Sequence, residues 1–470
     1  MTTPRPIVNV DSLFRRVTGA VALAHHRLQL LRDSDEHEAA TLEIIRSAQH
    51  HIFIENYRLA DDAWGKVLLE ALCQRAQAGV QVFVLVDWLG SFGRVSRAWR
   101  RQLTAAGGEF RFFNPPSLTK PLGWVIRNHR KLISADSCEA IISGWCLSAE
   151  WRGNEHVAPW RDTGVRVAGQ IVTLAEEAFS QTWLMSGGSL LINARTDALA
   201  CPLSNMTMTS DNARVRLLVG RPQSSPLLRL DLFIISLAQE RIWITDAYPV
   251  GTPIYLEALR EAASQGVDVR LLVPGSSDLP LIGLLSRSSY RALLEAGVKV
   301  YEWNGSMLHA KTAVIDGMWC RIGSSNLNPA SWIGNYELDL VIEDEPFAEV
   351  MEKQFEQDLN NATEIVLSPA KSIQLSEPRP KKKRAQRPQQ SSVTTLRLTR
   401  AVALAVRESR PLSPTDASLL ALLGTLGLLL AIISFWKPQL IAWPLGFFSA
   451  WISIHLLRIA HKRYRKHKKS

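Results

Sequence analysis

A long internal repeat constrains the fold of this 470-residue chain more than any other feature. The segment LLEALCQRAQAGVQVFVLVDW in the first half corresponds to YLEALREAASQGVDVRLLVPG in the second, with Gly79 and Gly266 at equivalent places. Elements of the same predicted types follow these segments in the same order. The repeat is much longer than the unit of a solenoid, so the sequence indicates the duplication of a domain-sized unit.

Hydrophobic periodicity within each copy predicts strands that alternate with helices. In the first copy the pattern predicts strands over His50–Leu59 and Val80–Asp87, with a helix between them that ends at Gly79. The nearly continuous apolar run of the second strand is typical of a strand covered on both faces. The expected fold class is therefore α/β, with two duplicated halves that each form a helix-layered sheet.

Two apolar segments near the C-terminus, Ala417–Trp436 and Pro438–Leu457, each contain twenty residues and no charge. Twenty helical residues cross a bilayer core of roughly 30 Å. The Lys437-Pro438 break predicts a transmembrane helical hairpin. Basic runs flank it, with six Lys/Arg in Arg379–Arg387 and seven in Arg458–Lys469, so the positive-inside rule places the folded body and the C-terminus in the cytoplasm. A buried helix pair is the alternative, and it is disfavoured because neither segment has a polar face.

These patterns predict six regions. They are an N-terminal arm (1–25), a first half (26–192), a connector (193–213), a second half (214–368), a basic linker (369–415), and the membrane hairpin with its basic tail (416–470).

The net charge of +10 is concentrated in the two basic runs, and without their thirteen cations the other residues carry about −3. A body of that charge does not favour a nucleic-acid partner. The five cysteines show no paired spacing, which predicts reduced thiols.

Each half carries the pattern His-x-Lys-x4-Asp, and the second copy lies 180 residues after the first. The six residues are His129, Lys131, Asp136, His309, Lys311 and Asp316. One imidazole can attack phosphorus, the other can carry a proton, and two ammonium groups can hold phosphate oxygens. Neither half has both a nucleophile and an acid, so we expect one site shared by the halves. A lone histidine is more often an ordinary surface or core residue, but the doubled motif argues against that interpretation.

The doubled motif resembles the signature of the phospholipase D superfamily. The segments VDWLGS, NHRKL and HAKTAVIDG resemble bacterial cardiolipin synthases of the B type. The resemblance implies a phosphatidyltransferase of the bacterial cytoplasmic membrane that needs no metal or cofactor. One histidine would attack a phosphatidyl phosphorus, and the hydroxyl of a second phospholipid would resolve the phosphohistidine to give cardiolipin. Phosphatidylglycerol is the expected donor.

The resemblance also implies roles for particular residues. His129 would be the nucleophile and His309 the acid and base, with Asp136 and Asp316 as supports within the motif. By family position Asp162 and Glu337 would orient the imidazoles, while Ser324 and Asn326 would bind phosphate. The first copy departs from the family pattern, because Gly144-Trp145-Cys146-Leu147 offers neither serine nor asparagine.

Three other functions remain open on the sequence. A hydrolytic phospholipase D or phosphodiesterase would use the same residues with water as acceptor. A nuclease of this superfamily is disfavoured by the charge of the body. A catalytically inactive lipid-binding module is favoured only by the departure in the first copy. The sequence does not predict the oligomeric state.

Overall fold

The computed structural model describes residues 10–116, 125–189, 208–367 and 373–375, together with the single positions 428, 435, 443 and 450. The chain divides into two compact units, residues 1–408 and 409–470. Apart from those single positions, the predicted transmembrane hairpin lies outside the described residues. Within the described ranges, no helix has both the length and the apolar character needed to span a bilayer.

The first half alternates helices and strands as far as its fourth strand, as the periodicity predicts, and then continues with four more strands before its last helix. Its elements are α1 (Val10–Thr18), β1 (Leu23–Arg32), α2 (Asp33–Ser47), β2 (His51–Asn56), α3 (Ala63–Gln77), β3 (Gln81–Asp87), α4 (Arg97–Ala105), β4 (Glu109–Phe113), β5 (Arg127–Asn128), β6 (Leu132–Ala135), β7 (Glu139–Ser143), β8 (Thr163–Ala168) and α5 (Ile171–Met185). The two predicted strands are β2 and β3. Helix α3 ends two residues before Gly79, whose φ of 90° is a left-handed conformation that suits glycine.

The second half repeats this order with small additions. Its elements are β9 (Ser210–Gly220), α6 (Pro226–Leu237), β10 (Arg241–Thr245), α7 (Pro253–Ser264), β11 (Asp268–Pro274), α8 (Pro280–Ser288), α9 (Tyr290–Glu295), β12 (Lys299–Trp303), β13 (Thr312–Ile315), β14 (Trp319–Gly323), a π-helical turn (Ala330–Gly334), β15 (Asn335–Glu343), α10 (Glu345–Leu359), β16 (Ala362–Leu367) and β17 (Ile373–Leu375).

One large mixed sheet runs through both halves. The strand order is β4-β3-β2-β6-β7-β8-β1 in the first half. It is β12-β11-β10-β13-β14-β15-β9 in the second. The two orders match strand for strand, as expected for a duplication. The halves join where β1 and β9 pair antiparallel, so the joint lies between two equivalent strands.

Helices cover the sheet, and hydrophobic packing also connects the halves. A central core contains side chains of both copies, including Phe53 and Phe179 from the first and Ile322, Leu340 and Phe347 from the second. Because apolar burial stabilises this joint in the same way as a domain core, the halves form one folded body rather than two tethered modules.

The cysteines differ from the sequence prediction at one position. Cys73, Cys146 and Cys320 are buried free thiols. Cys138 is disulfide-bonded, so the prediction that all the thiols are reduced is wrong there.

Candidate active site

The histidine and lysine of each motif lie just before the equivalent strands β6 and β13, and each histidine is held by the backbone of the other half. The His129 N–H donates to the Tyr336 carbonyl at 2.9 Å, and the His309 N–H donates to the Arg161 carbonyl at 2.7 Å. Strand β5 also pairs in parallel with the start of β15. The segment before each histidine is therefore positioned by the half that does not contain that histidine.

Each imidazole is paired with a carboxylate of the opposite half. His129 Nδ1 lies 2.9 Å from Glu337 Oε2, and His309 Nδ1 lies 2.8 Å from Asp162 Oδ2. All four side chains are buried. A carboxylate on Nδ1 fixes the tautomer and leaves Nε2 for chemistry. Asp162 and Glu337 are the carboxylates that the family resemblance implied, but the crossing of the pairs between halves was not predicted.

The two lysines complete the same cluster. Lys131 Nζ donates to the His129 carbonyl at 2.7 Å. Lys311 Nζ lies 2.9 Å and 3.0 Å from the ring nitrogens of His309 and also donates to that residue's carbonyl. Both ammonium groups are buried, so an anion that enters the site meets two poorly hydrated cations.

Two tyrosines, Tyr57 and Tyr248, line the site symmetrically. Neither was predicted from the sequence to belong to it. Lys131 Nζ lies 5.4 Å from the ring centroid of Tyr57, and Lys311 Nζ lies 5.8 Å from that of Tyr248. The same rings meet the imidazoles of His129 and His309 edge-on, at centroid distances of 5.0 and 5.9 Å. Their occurrence at the end of equivalent strands was the sequence signal that could have identified them.

Burial and the lysines set the protonation of the histidines. Burial lowers the pKa of His309 to about 3, with the Lys311 charge as the next cause. Burial also lowers the pKa of His129, although Glu337 opposes the shift. Both imidazoles are therefore neutral near neutral pH, which is the state that a nucleophile requires.

The same surroundings shift the pKa values of the carboxylates and of the lysines. Burial alone would raise the pKa of Asp162 and of Glu337, but the paired histidines outweigh it and hold both pKa values below their ordinary range. Burial lowers the pKa of Lys131, and it lowers that of Lys311 to about 8. The carboxylates therefore remain ionised and can stabilise a proton on either imidazole.

Residues 232–359 match the family described as cardiolipin synthase, phospholipase D-like domain. The cardiolipin synthase of Halalkalibacterium halodurans is 32% identical over 343 residues, which cover 72% of this chain and 67% of that protein. This chain belongs to the cardiolipin synthase family.

Other similarities agree with that membership. The cardiolipin synthase of Alkalihalophilus pseudofirmus is 33% identical over 317 residues, which cover 66% of this chain and 61% of the relative. The chain thus spans about three fifths of that relative's length. The crystal structure of phosphatidylserine synthase from Haemophilus influenzae has the same fold, with a TM-score of 0.60 at 17% identity over 76% of this chain and 92% of that one.

The motif aspartates of this cardiolipin synthase family member are not brought to the imidazoles. The carboxylate of Asp136 accepts the backbone N–H groups of residues 49–51 at 2.7 to 2.8 Å. Asp316 accepts those of residues 239–241, each at 2.8 Å. Each aspartate therefore fixes the turn that leads into β2 or β10. This placement agrees with a supporting role rather than with direct participation in the reaction.

Ser324 and Asn326, the predicted phosphate ligands, lie beside the second-half carboxylate. Ser324 Oγ donates to Glu337 Oε2 at 2.6 Å and accepts the Leu338 N–H at 2.9 Å. Its hydroxyl thus positions Glu337. The Asn326 side chain is buried, and its Oδ1 has no partner among the residues that the structure describes. A phosphate-binding role for either residue stays a prediction.

Strand pairing corrects the comparison of the segments that follow the two motifs. Ile142 pairs with Leu132 in the first half, and Ile322 pairs with Thr312 in the second. Ser143-Gly144-Trp145-Cys146 therefore corresponds to Gly323-Ser324-Ser325-Asn326. The segment expected from the sequence, Gly144-Trp145-Cys146-Leu147, begins one residue too late. The first copy does contain a serine, but Gly144 occupies the place of Ser324.

The sequence also did not predict a buried network of polar side chains next to His129. The guanidinium of Arg130 donates to the Ala178 carbonyl at 2.7 Å and lies 3.8 Å from Glu55. Glu55 in turn accepts from Asn128 at 2.7 Å and from Thr182 at 2.6 Å. These side chains are fully or almost fully buried, so the residues on both sides of His129 are held rigidly.

Proposed function

We propose that the protein is a phosphatidyltransferase that makes cardiolipin from phosphatidylglycerol and a second phospholipid through a phosphohistidine. The observation that carries this proposal is the pair of crossed histidine–carboxylate contacts, with one lysine beside each. Such a site offers two imidazoles and two cations to one phosphodiester, as a double displacement at phosphorus requires. The cardiolipin synthase relatives support the choice of reaction.

In the first step, His129 Nε2 would attack the phosphorus of phosphatidylglycerol. The nitrogen–phosphorus bond forms, the bond to the head-group glycerol oxygen breaks, and His309 gives that oxygen a proton. Glu337 holds Nδ1 of His129 at 2.9 Å and so stabilises the positive charge that develops on the ring. Lys131 and Lys311 would bind the non-bridging oxygens throughout.

In the second step, a hydroxyl of the second phospholipid would attack the phosphohistidine. His309, now neutral, takes the hydroxyl proton while the nitrogen–phosphorus bond breaks. With phosphatidylglycerol as acceptor, the products are cardiolipin and the glycerol released in the first step. The assignment of nucleophile and acid follows the family resemblance.

The pKa of His309, which burial lowers most, is compatible with its role as an acid. The Lys311 charge contributes to that low pKa, and a bound phosphodiester anion offsets this charge. The proton on His309 is therefore stabilised when substrate is present and is disfavoured when it is absent.

A cavity beside the site has a mixed lining. It has a volume of about 1050 Å³, and the apolar side chains of Leu42, Trp64, Val67 and Val157 share its wall with the carboxylates of Asp35, Glu38, Asp61, Asp62 and Glu150. Trp160 also lines the cavity, and the centroid of its ring lies 5.6 Å from that of His309. A phospholipid whose phosphate lies between the lysines would place an acyl chain against the apolar part of this wall.

The test is a product assay with phosphatidylglycerol vesicles. We expect cardiolipin and glycerol from the wild type, and neither from His129→Ala or His309→Ala, because each half supplies one of two separate roles. Phosphatidic acid as the main product would mean that water is the acceptor and that the protein is a hydrolase. Turnover near the wild-type rate in either variant would contradict the shared site.

For location, we propose that residues 416–470 anchor the protein in the bacterial cytoplasmic membrane with the folded body on the cytoplasmic side. The support is the length of the two uncharged segments and their basic flanks. Truncation after Ser368 should abolish membrane sedimentation and most activity on vesicles, since an anchored enzyme meets its lipids continuously. Activity on detergent-dispersed lipid should remain. A truncated protein that still sediments with membranes would refute the anchor.

A further inference from the structure

The two histidine–carboxylate pairs differ in what holds the carboxylate. Ser324 donates to Glu337 in the second half, but Gly144 stands at the equivalent place in the first. A Cβ atom built on Gly144 would lie 2.4 Å from Asp162 Oδ1. No side chain fits there while Asp162 keeps its position. The first half therefore cannot use a hydroxyl from this position to hold its carboxylate.

An indole from the loop between β7 and β8 takes that place. Trp151 Nε1 donates to Asp162 Oδ2 at 2.7 Å, and the same oxygen contacts His309 Nδ1. The other oxygen accepts the Thr163 backbone N–H at 2.8 Å. The Trp151 ring is buried and meets the His309 ring edge-on, with 4.9 Å between centroids and 85° between planes. One side chain thus contacts both members of the pair.

We propose that Trp151 is a positioning residue for His309, with the role towards Asp162 that Ser324 has towards Glu337. Both oxygens of the carboxylate are fixed by N–H donors, so the carboxylate cannot rotate and presents Oδ2 to Nδ1. The indole N–H can only donate a hydrogen bond, so it favours the ionised carboxylate. That carboxylate in turn favours the tautomer of His309 whose proton is on Nδ1 and whose Nε2 is unprotonated. The proposal rests on the proposed function, since it assigns His309 a role in turnover.

The variant that tests this is Trp151→Phe, which keeps an aromatic ring and removes the N–H. Trp99→Phe is the matched control, because it also removes a buried indole N–H, one that donates to the Gly65 carbonyl at 2.9 Å, whereas the donors to the Asp162 carboxylate among the described residues are Trp151, Thr163 and His309. We expect kcat to fall about 10- to 100-fold in Trp151→Phe with KM unchanged, the usual cost of removing a group that orients a reacting histidine. Trp99→Phe should retain kcat per folded molecule within about threefold, well below that cost.

A rescue experiment separates the hydrogen bond from packing. Trp151→His restores a ring N–H and should recover part of the kcat lost in the phenylalanine variant. If Trp151→Phe does not fold, replacement of Trp151 by benzothienylalanine keeps the ring size and substitutes sulfur for the N–H, and it should show the same fall in kcat. Equal kcat in Trp151→Phe and Trp99→Phe, or wild-type kcat with benzothienylalanine, would overturn the proposal.

Failure of the proposed function would look different. If the wild type makes no cardiolipin, the same variants are compared in the hydrolysis of bis(p-nitrophenyl) phosphate, a phosphodiester that requires only the histidine site. A lower hydrolysis rate in only the variants without the Trp151 indole N–H would support the positioning role of Trp151. Equal hydrolysis rates in all the variants would overturn it. The absence of cardiolipin from the wild type would by itself refute only the phosphatidyl transfer.

Discussion

Replacement of Arg161 by methionine should both destabilise the protein and impair the site. The guanidinium is almost fully buried and binds Asp358 on α10 in a two-pronged contact, Nε to Oδ1 at 2.9 Å and Nη2 to Oδ2 at 3.0 Å. It therefore links the first half to the second. Its backbone also accepts from His309 and donates to Met307, so the linkage lies directly beside the catalytic pair.

The expected loss of folding stability follows from the burial of Asp358, which is 7% exposed. Methionine fills the space but leaves this carboxylate without its cation, and breaking a buried ion pair in this way costs about 3–5 kcal/mol. The double variant Arg161→Met/Asp358→Leu removes both charges. It should recover the part of that loss that comes from Asp358, because a buried pair replaced by apolar side chains is often close to neutral. The contacts of Arg161 Nη1 with Asp33, the Asp162 carbonyl and Thr163 stay lost in both variants.

The assay is urea unfolding of wild type, both single variants and the double variant in the same detergent, with kcat measured alongside. A loss below about 1 kcal/mol in Arg161→Met, within the range of an exposed pair, would show that the contact does not link the halves. A double variant less stable than both single variants would refute the charge-pair explanation of the loss.

Three further predictions concern other groups. Glu337→Gln should lower kcat by about 10²- to 10⁴-fold with little change in vesicle binding, because the amide favours the wrong tautomer of His129; an unchanged kcat would contradict the crossed pair. Asp136→Ala should cost about 1–3 kcal/mol in urea unfolding, since three backbone N–H groups lose their acceptor, while kcat per folded molecule stays near the wild-type value. Burial lowers the pKa of His26 to about 4 from 6.5. The unfolded chain therefore binds the extra proton first, and stability is lost as the pH falls from about 6.5 towards 4. His26→Gln should remove up to about 3 kcal/mol of that dependence, and an unchanged pH profile of Tm would refute the assignment.

The sequence was sufficient for the duplicated fold because its signals are local and occur twice. Strands such as β2 and β3 are apolar runs, and Gly79 marks a helix end through its own backbone preference. The comparison of two copies then predicted equivalent places for His129 and His309. Their position in one site could be expected, since neither half contains both roles.

The sequence could not predict that each histidine pairs with a carboxylate of the opposite half. This crossing depends on the antiparallel joint of β1 with β9, which brings Glu337 to His129 and Asp162 to His309, and no local pattern specifies that joint. The role of Trp151 was missed for a related reason. An indole that reaches a carboxylate eleven residues away requires the path of the intervening loop, which periodicity does not describe.

The central claim is that one histidine of a shared site becomes covalently phosphorylated while the other transfers protons. The most direct test is rapid acid-free quenching of the wild type during turnover of phosphatidylglycerol labelled in its phosphate, followed by mass-spectrometric mapping of the modified residue. We predict a phosphatidyl group on His129. A label on His309 would exchange the two roles within the same site. No label on either histidine during active turnover would contradict the mechanism.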